Sequence, residues 1–196
     1  MEDQRARGST SLLGHALLGM LARAPGTGYD LSQRMQRTIS FYWTWQHSQI
    51  YGALRQLDEH GLIRHRVIAG AGPRDTKRYS LTAAGRRALT TWVGTTPEAH
   101  DDRDPLLLRV HSLWTVDRAA ATALLQQARA DSVERLAYYT AIAQEIAVDG
   151  HSADPAHPDF ASYATVQAGI IFRRGRIEWC DGLLAALDGA TLPAVW

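Results

Sequence analysis

Residues 41–62 read FYWTWQHSQIYGALRQLDEHGL, a run of aromatic rings that passes straight into a polar, helix-patterned segment. With Ile50 taken as the inward direction, Leu54 and Leu57 fall on the same side, the spacing of one face of an α-helix. Opposite them lie Ser48, Gly52, Arg55 and Glu59, with Gln49 and Tyr51 at the margins. A glycine inside a helix costs about 1 kcal/mol relative to alanine. Gly52 is therefore either tolerated on a solvated face or placed to let another molecule approach the backbone closely. Ser48, Gln49 and Arg55 are residue types that bond base edges and phosphates in a major groove. Gly61 ends the helix at about His60. The rings of Phe41, Tyr42, Trp43 and Trp45 are expected to buttress the start of this helix from beneath, with stacking on unpaired bases as the alternative.

The flanking segments complete a recognisable order. Ser9 or Thr10 can cap a first helix from about Ser11 to Ala22, which Pro25-Gly26 stops. Thr27 can cap a second, from Gly28 to about Thr38. After the third helix come two apolar-alternating stretches, 62–68 and 77–81, separated by the turn-forming AGAGPRDT. Thr82 then caps a fourth helix through Val93. Three helices, a hairpin and a helix is the order of a winged helix-turn-helix. The hairpin is basic: Arg64, Arg66, Arg74, Lys77 and Arg78 flank or occupy it, against Asp75 alone. Beside a polar helix, such a ribbon is suited to tracking phosphates.

The whole-chain charge of +1 conceals a division. Residues 1–96 hold 13 Lys+Arg against 6 Asp+Glu, a balance of +7, whereas residues 97–196 hold 8 against 14, a balance of −6. That asymmetry implies a polyanion-binding half and a half with another task. Asp117 can cap a long helix to about Val148, with Leu125, Ala128, Ser132, Leu136, Tyr139, Ala143 and Ile146 in alternating steps of three and four. A last helix, from about Phe160 to Leu187, repeats the rhythm in Val166, Ile170, Ile177, Cys180, Leu184 and Leu187, with Arg173 as the polar exception. Two such helices suit an antiparallel, coiled-coil-like dimer arm, or an ordinary hairpin within one chain.

Three stretches carry a family resemblance: GHALLGMLARAPGTGYDL (14–31), W-x5-QIY-x2-L-x2-L-x3-GLI (43–63) and RYSLTAAGRRAL (78–89). Together they resemble the DNA-binding domain of PadR-family transcriptional regulators over residues 12–93, and the remainder resembles the longer helical C-terminal domain of one subgroup. The resemblance implies a homodimeric winged-helix repressor, released from an inverted-repeat operator in double-stranded DNA by a small, often aromatic, effector. It makes Gln49, Tyr51 and Arg55 DNA-contacting and puts Tyr79 on the wing's return strand. The chain departs from the family pattern at Trp45 and Gln46, where small or Pro/Ser-type residues often stand.

The expectations are therefore these. The fold is mainly α with a small β-hairpin wing: a tail (1–10), a winged helix-turn-helix (11–96), a connector (97–116) and an α-helical dimerisation and effector domain (117–196). DNA contacts come from Ser48, Gln49, Tyr51, Gly52, Arg55, Arg64, Arg66, Arg74, Lys77 and Arg78, and Trp92, Trp114 and Trp179 are candidates for an effector pocket, with core packing as the commoner role of such residues. The competing function is a winged-helix protein-interaction module that does not bind DNA. Neither GTG at 26–28 nor GAG at 70–72 continues into a phosphate-binding glycine pattern, so no enzyme is expected. His151, Asp154, His157 and Asp159 share one loop, but their spacing is unspecific and a polar linker is the better reading, so no metal or other cofactor is expected. One cysteine, no apolar stretch long enough to span a bilayer and no signal-peptide pattern predict a cytoplasmic chain without a membrane partner.

Overall fold

The computed structural model describes residues 10–40, 43, 45–69, 76–97 and 103–192. The chain divides into two compact units, Met1–Pro97 and Glu98–Trp196.

The first unit holds α1 (Leu12–Arg23), α2 (Gly28–Thr38), α3 (His47–Glu59), α4 (Ala83–Val93) and a small sheet. Their amphipathic stripes converge: Leu17, Leu18 and Leu21 of α1, Leu31 and Met35 of α2, and Ile50, Leu54 and Leu57 of α3 share one core with Ile63 and Tyr79. Trp43 and Trp45 pack against this cluster, as a buttress under α3 requires. Phe41 and Tyr42 lie outside the described residues.

Short polar side chains set the helix ends. Ser11 caps α1 through the Gly14 N–H at 3.1 Å. At α2, Thr27 Oγ1 accepts the Asp30 N–H (3.2 Å) while Asp30 accepts the Thr27 N–H (2.9 Å), a reciprocal capping box. Gly61 follows α3 at φ 67°, a left-handed turn that glycine adopts without strain. Thr27→Ala should therefore cost about 1 kcal/mol in a urea titration at neutral pH. The Thr27 N–H holds the Asp30 carboxyl below its ordinary value. Because the folded pKa is depressed, that contribution is present above the unfolded value and is lost as pH falls through the folded one. Asp30→Asn should accordingly be less stable than the parent at pH 7 and converge with it in acid.

The sheet exceeds the expected hairpin. β2 (Ile63–Ile68) and β3 (Thr76–Leu81) pair antiparallel, with Ile63 opposite Leu81, His65 opposite Tyr79 and Arg66 opposite Arg78. A two-residue strand, β1 (Gly26–Thr27), adds to β3, giving the order β1-β3-β2. The Pro25-Gly26 signal that ends α1 thus also starts a strand, too short for any periodicity to show.

The second unit holds α5 (Pro105–His111), a helical turn at Leu113–Thr115, α6 (Arg118–Ala147), a turn at His151–Ala153 and α7 (Pro158–Leu187). Arg118 pairs with Asp188, and Arg129 Nε meets Asp181 Oδ1 at 2.5 Å. Partner numbers that fall as residue numbers rise make α6 and α7 antiparallel. Leu125, Ser132, Tyr139 and Ala143 are buried against Val166, Ile170 and Cys180. Arg173, the polar exception in the α7 stripe, is half-buried beside Tyr139, and burial lowers its guanidinium pKa. Helix α5 falls within the expected connector (97–116); Asp104 caps it at the Leu106 N–H (2.8 Å) and also pairs with Arg176 of α7. No helix among the described residues is long and apolar enough to cross a membrane.

Candidate nucleic-acid interface

Helix α3 buries Ile50, Ala53, Leu54 and Leu57 and turns the opposite side outward. Ser48, Gln49, Tyr51 and Arg55 are exposed there, Tyr51 by 53%. Gly52 lies between them, and a Cβ added to it would meet nothing within 4 Å. Internal packing therefore does not explain this glycine, which leaves a shallow notch in an otherwise bristling helix face.

Two of these residues also hold the fold. Gln49 Oε1 accepts the Gln46 N–H at 2.9 Å, so its side chain closes the first turn of α3. This is how the chain manages without a Ser or Pro before the helix: the residue at N3 reaches back to the N-cap. The amide group of Gln49 retains its donors for another partner. Tyr51 lies over α2, where a Cβ at Gly28 would come within 2.6 Å of its ring.

The sheet sorts the basic residues. Side chains directly opposite each other across an antiparallel pair share a face. Ile63, His65, Val67, Lys77, Tyr79 and Leu81 thus share one, and it turns toward the core and α3: Ile63 and Tyr79 are buried, and His65 Nδ1 meets Asp58 Oδ2 of α3 at 2.7 Å. Burial raises the Tyr79 phenol, with Asp58 acting the same way. Arg64, Arg66 and Arg78 stand on the other face with Ser80, and together with Pro25 and His65 they line a cleft of about 500 Å³. Among the described residues, Lys77 is accordingly the wing lysine or arginine on the α3 side, while three arginines stand on the opposite face. Hairpin charge is visible in sequence, but this sorting needs the strand register. Arg74 lies outside the described residues.

The tryptophans named for an effector divide between the units. Trp92 belongs to the first, where its ring stacks on His15 at 4.4 Å and 11°. Burial there holds the His15 imidazole below 6.5. In the second unit Trp114 is 85% exposed on its helical turn, and Trp179 receives the Arg176 guanidinium 5.4 Å from its ring centre.

Comparison with known proteins fits this geometry. Residues 17–91 match the family described as transcriptional regulator PadR-like, and residues 103–188 match the C-terminal domain of virulence activator alpha. The chain carries a PadR-like transcriptional regulator domain. Among relatives, the negative transcriptional regulator PadR of Bacillus subtilis is 23% identical over 178 residues, covering 90% of this chain and 98% of that protein. A probable transcriptional regulator of Mycobacterium tuberculosis is 27% identical, covering 90% and 97%. The fold is that of B. subtilis PadR crystallised with operator DNA (TM-score 0.79, 23% identity, 91% of this chain and 100% of that one). It is also that of the Vibrio cholerae virulence activator AphA (TM-score 0.69, 24% identity, 90% and 98%). The named relatives are regulators of transcription rather than enzymes. The winged-helix fold with its helical C-terminal region agrees with the sequence expectation, extended by one short strand and α5.

Proposed function

We propose that this PadR-like regulator is a homodimeric repressor that reads an inverted-repeat operator through α3 and the wing and leaves it when a small aromatic ligand binds. The observation that carries the reading is the outward face of α3, with four hydrogen-bonding side chains around an unhindered glycine, beside a basic wing. The acidic second half argues for a separate task there. In that half Ile171 is 67% and Phe172 53% exposed, apolar surface suited to a second copy. Residues 11–96 are assigned to DNA, 97–116 to connection, and 117–196 to dimerisation and sensing, with the chain working in the cytoplasm. Support for the sense of regulation and the ligand comes from B. subtilis PadR, a negative regulator that has been crystallised with p-coumaric acid.

The test is a fluorescence-anisotropy titration of a duplex from the chain's own upstream region. Binding should saturate at two chains per operator, and phenolic acids should weaken it while quenching tryptophan emission. Linkage makes the coupling reciprocal, so operator DNA must weaken ligand binding by the same factor. Ligand binding that leaves DNA affinity unchanged would remove the sensor, and no duplex preference would leave a protein-interaction module. The match of residues 103–188 to a virulence-activator domain makes activation the competing sense of regulation. A promoter reporter that falls when the gene is deleted would establish activation.

A further inference from the structure

The loop between α6 and α7 brings three side chains together that share one stretch of sequence at a spacing specific to no metal. His151 lies on the turn His151–Ala153, His157 caps α7, and Asp159 stands in the first turn of that helix. One potential ligand atom from each lies within 4.8 Å of the other two. The imidazole centres are 4.3 Å apart at 39°, and His157 Nδ1 is 3.5 Å from Asp159 Oδ2. The backbone holds this spacing. Gly150, at φ 71°, reverses the chain after α6, the Asp154 N–H bonds the His151 carbonyl (3.1 Å), and the His157 N–H bonds the Asp154 carbonyl (2.9 Å). Asp154 is otherwise engaged, accepting the Ala156 N–H at 2.9 Å.

We infer that His151, His157 and Asp159 form a site for a divalent transition-metal ion. Two imidazoles and one carboxylate suit zinc, cobalt or nickel better than the all-oxygen shells of calcium or magnesium. Charge agrees: residues 149–159 contain Asp149, Asp154 and Asp159 and no Lys or Arg. With metal–donor bonds of about 2.0–2.2 Å, neighbouring ligands sit on the order of 3–3.5 Å apart. The donors must therefore close by about an ångström from their present spacing, a movement open to the exposed His151 side chain on its short turn. Binding also has a competitor, because His157 Nδ1 accepts the Asp159 N–H at 3.2 Å and caps α7. An ion bound there would tie the turn after α6 to the start of α7 and so fix the closed end of the hairpin. Its remaining coordination positions stay open to water or to a donor from another molecule.

The test is a cobalt(II) titration of the untagged full-length protein, followed by visible absorption and repeated with zinc as competitor. One equivalent per chain should bind, and zinc should displace it. His151→Ala and Asp159→Asn should each weaken binding at least ~10-fold, since losing even a residue that only orients a ligand has that effect. His157→Asn keeps a good capping residue while removing the imidazole and should do the same, with unchanged circular dichroism. Asp154→Asn should leave affinity as it is. The inference is overturned if no cobalt band develops, if the combined His151→Ala/Asp159→Asn chain binds as tightly as the parent, or if Asp154→Asn is as damaging as Asp159→Asn.

Discussion

Gly85→Ala is expected to destabilise the winged-helix unit by about 3 kcal/mol or more, the upper end of the usual cost of overpacking. A Cβ at this position would lie 2.0 Å from the Leu62 carbonyl oxygen and 2.8 Å from Leu81 Cδ1. The oxygen belongs to backbone that cannot swing aside. The Leu62 carbonyl accepts both the Thr82 N–H (3.1 Å) and the Thr82 hydroxyl (2.9 Å), while the same hydroxyl caps α4 at the Gly85 N–H (3.0 Å). Relief would have to separate α4 from the start of β2 and break this joint. Since small domains are stable by roughly 5–15 kcal/mol in total, such a loss brings the unit near its limit. Urea unfolding followed by circular dichroism should show a lower midpoint with an unchanged slope. An unfolding free energy within 1 kcal/mol of the parent's would mean that α4 is free to move. The RYSLTAAGRRAL stretch shows the glycine, but not the carbonyl it must clear.

What sequence made legible, and what it did not, follows from the range of each interaction. Helix periodicity and caps act over three or four residues, so α1 to α4, α6 and α7 could be placed from spacing, with Thr27, Thr82 and Asp117 as caps. Gly26–Thr27 joins the sheet only through β3, about fifty residues away, and two residues carry no pattern of their own. Helix α5 is seven residues long with Leu107 and Leu108 exposed, so no amphipathic stripe announces it. The same limit applies to the interface. The exposed face of α3 follows from a 3.6-residue repeat, whereas the separation of Lys77 from Arg64, Arg66 and Arg78 depends on register across the hairpin. The Gln49 side chain shows the remaining gap: a residue read only as a base contact also closes the first turn of its helix.

Gly52→Ala should change stability and DNA binding in opposite directions. On the helix side the substitution adds a methyl where nothing lies within 4 Å, so only backbone propensity counts, and alanine should stabilise α3 by about 0.8–1 kcal/mol. On the DNA side the same methyl fills the notch between Ser48 and Arg55 and would hold the helix off the base edges. Operator affinity should then fall by about 1–3 kcal/mol, the scale of one lost base contact. Ordinary destabilisation cannot mimic this pair of signs. The wing supplies the complementary measurement. Lys77 stands on the α3 side of the sheet, so Lys77→Ala should weaken specific and scrambled duplexes alike and reduce the log–log salt slope by about 1. Arg64, on the opposite face across from Ser80, should leave that slope unchanged when replaced by alanine. Salt-titrated affinities for the three variants, on operator and scrambled DNA, decide the matter. If Gly52→Ala stabilises the protein without loss of operator affinity, α3 does not enter the groove by this face. If Arg64→Ala alters the salt slope while Lys77→Ala does not, the DNA lies against the other side of the wing.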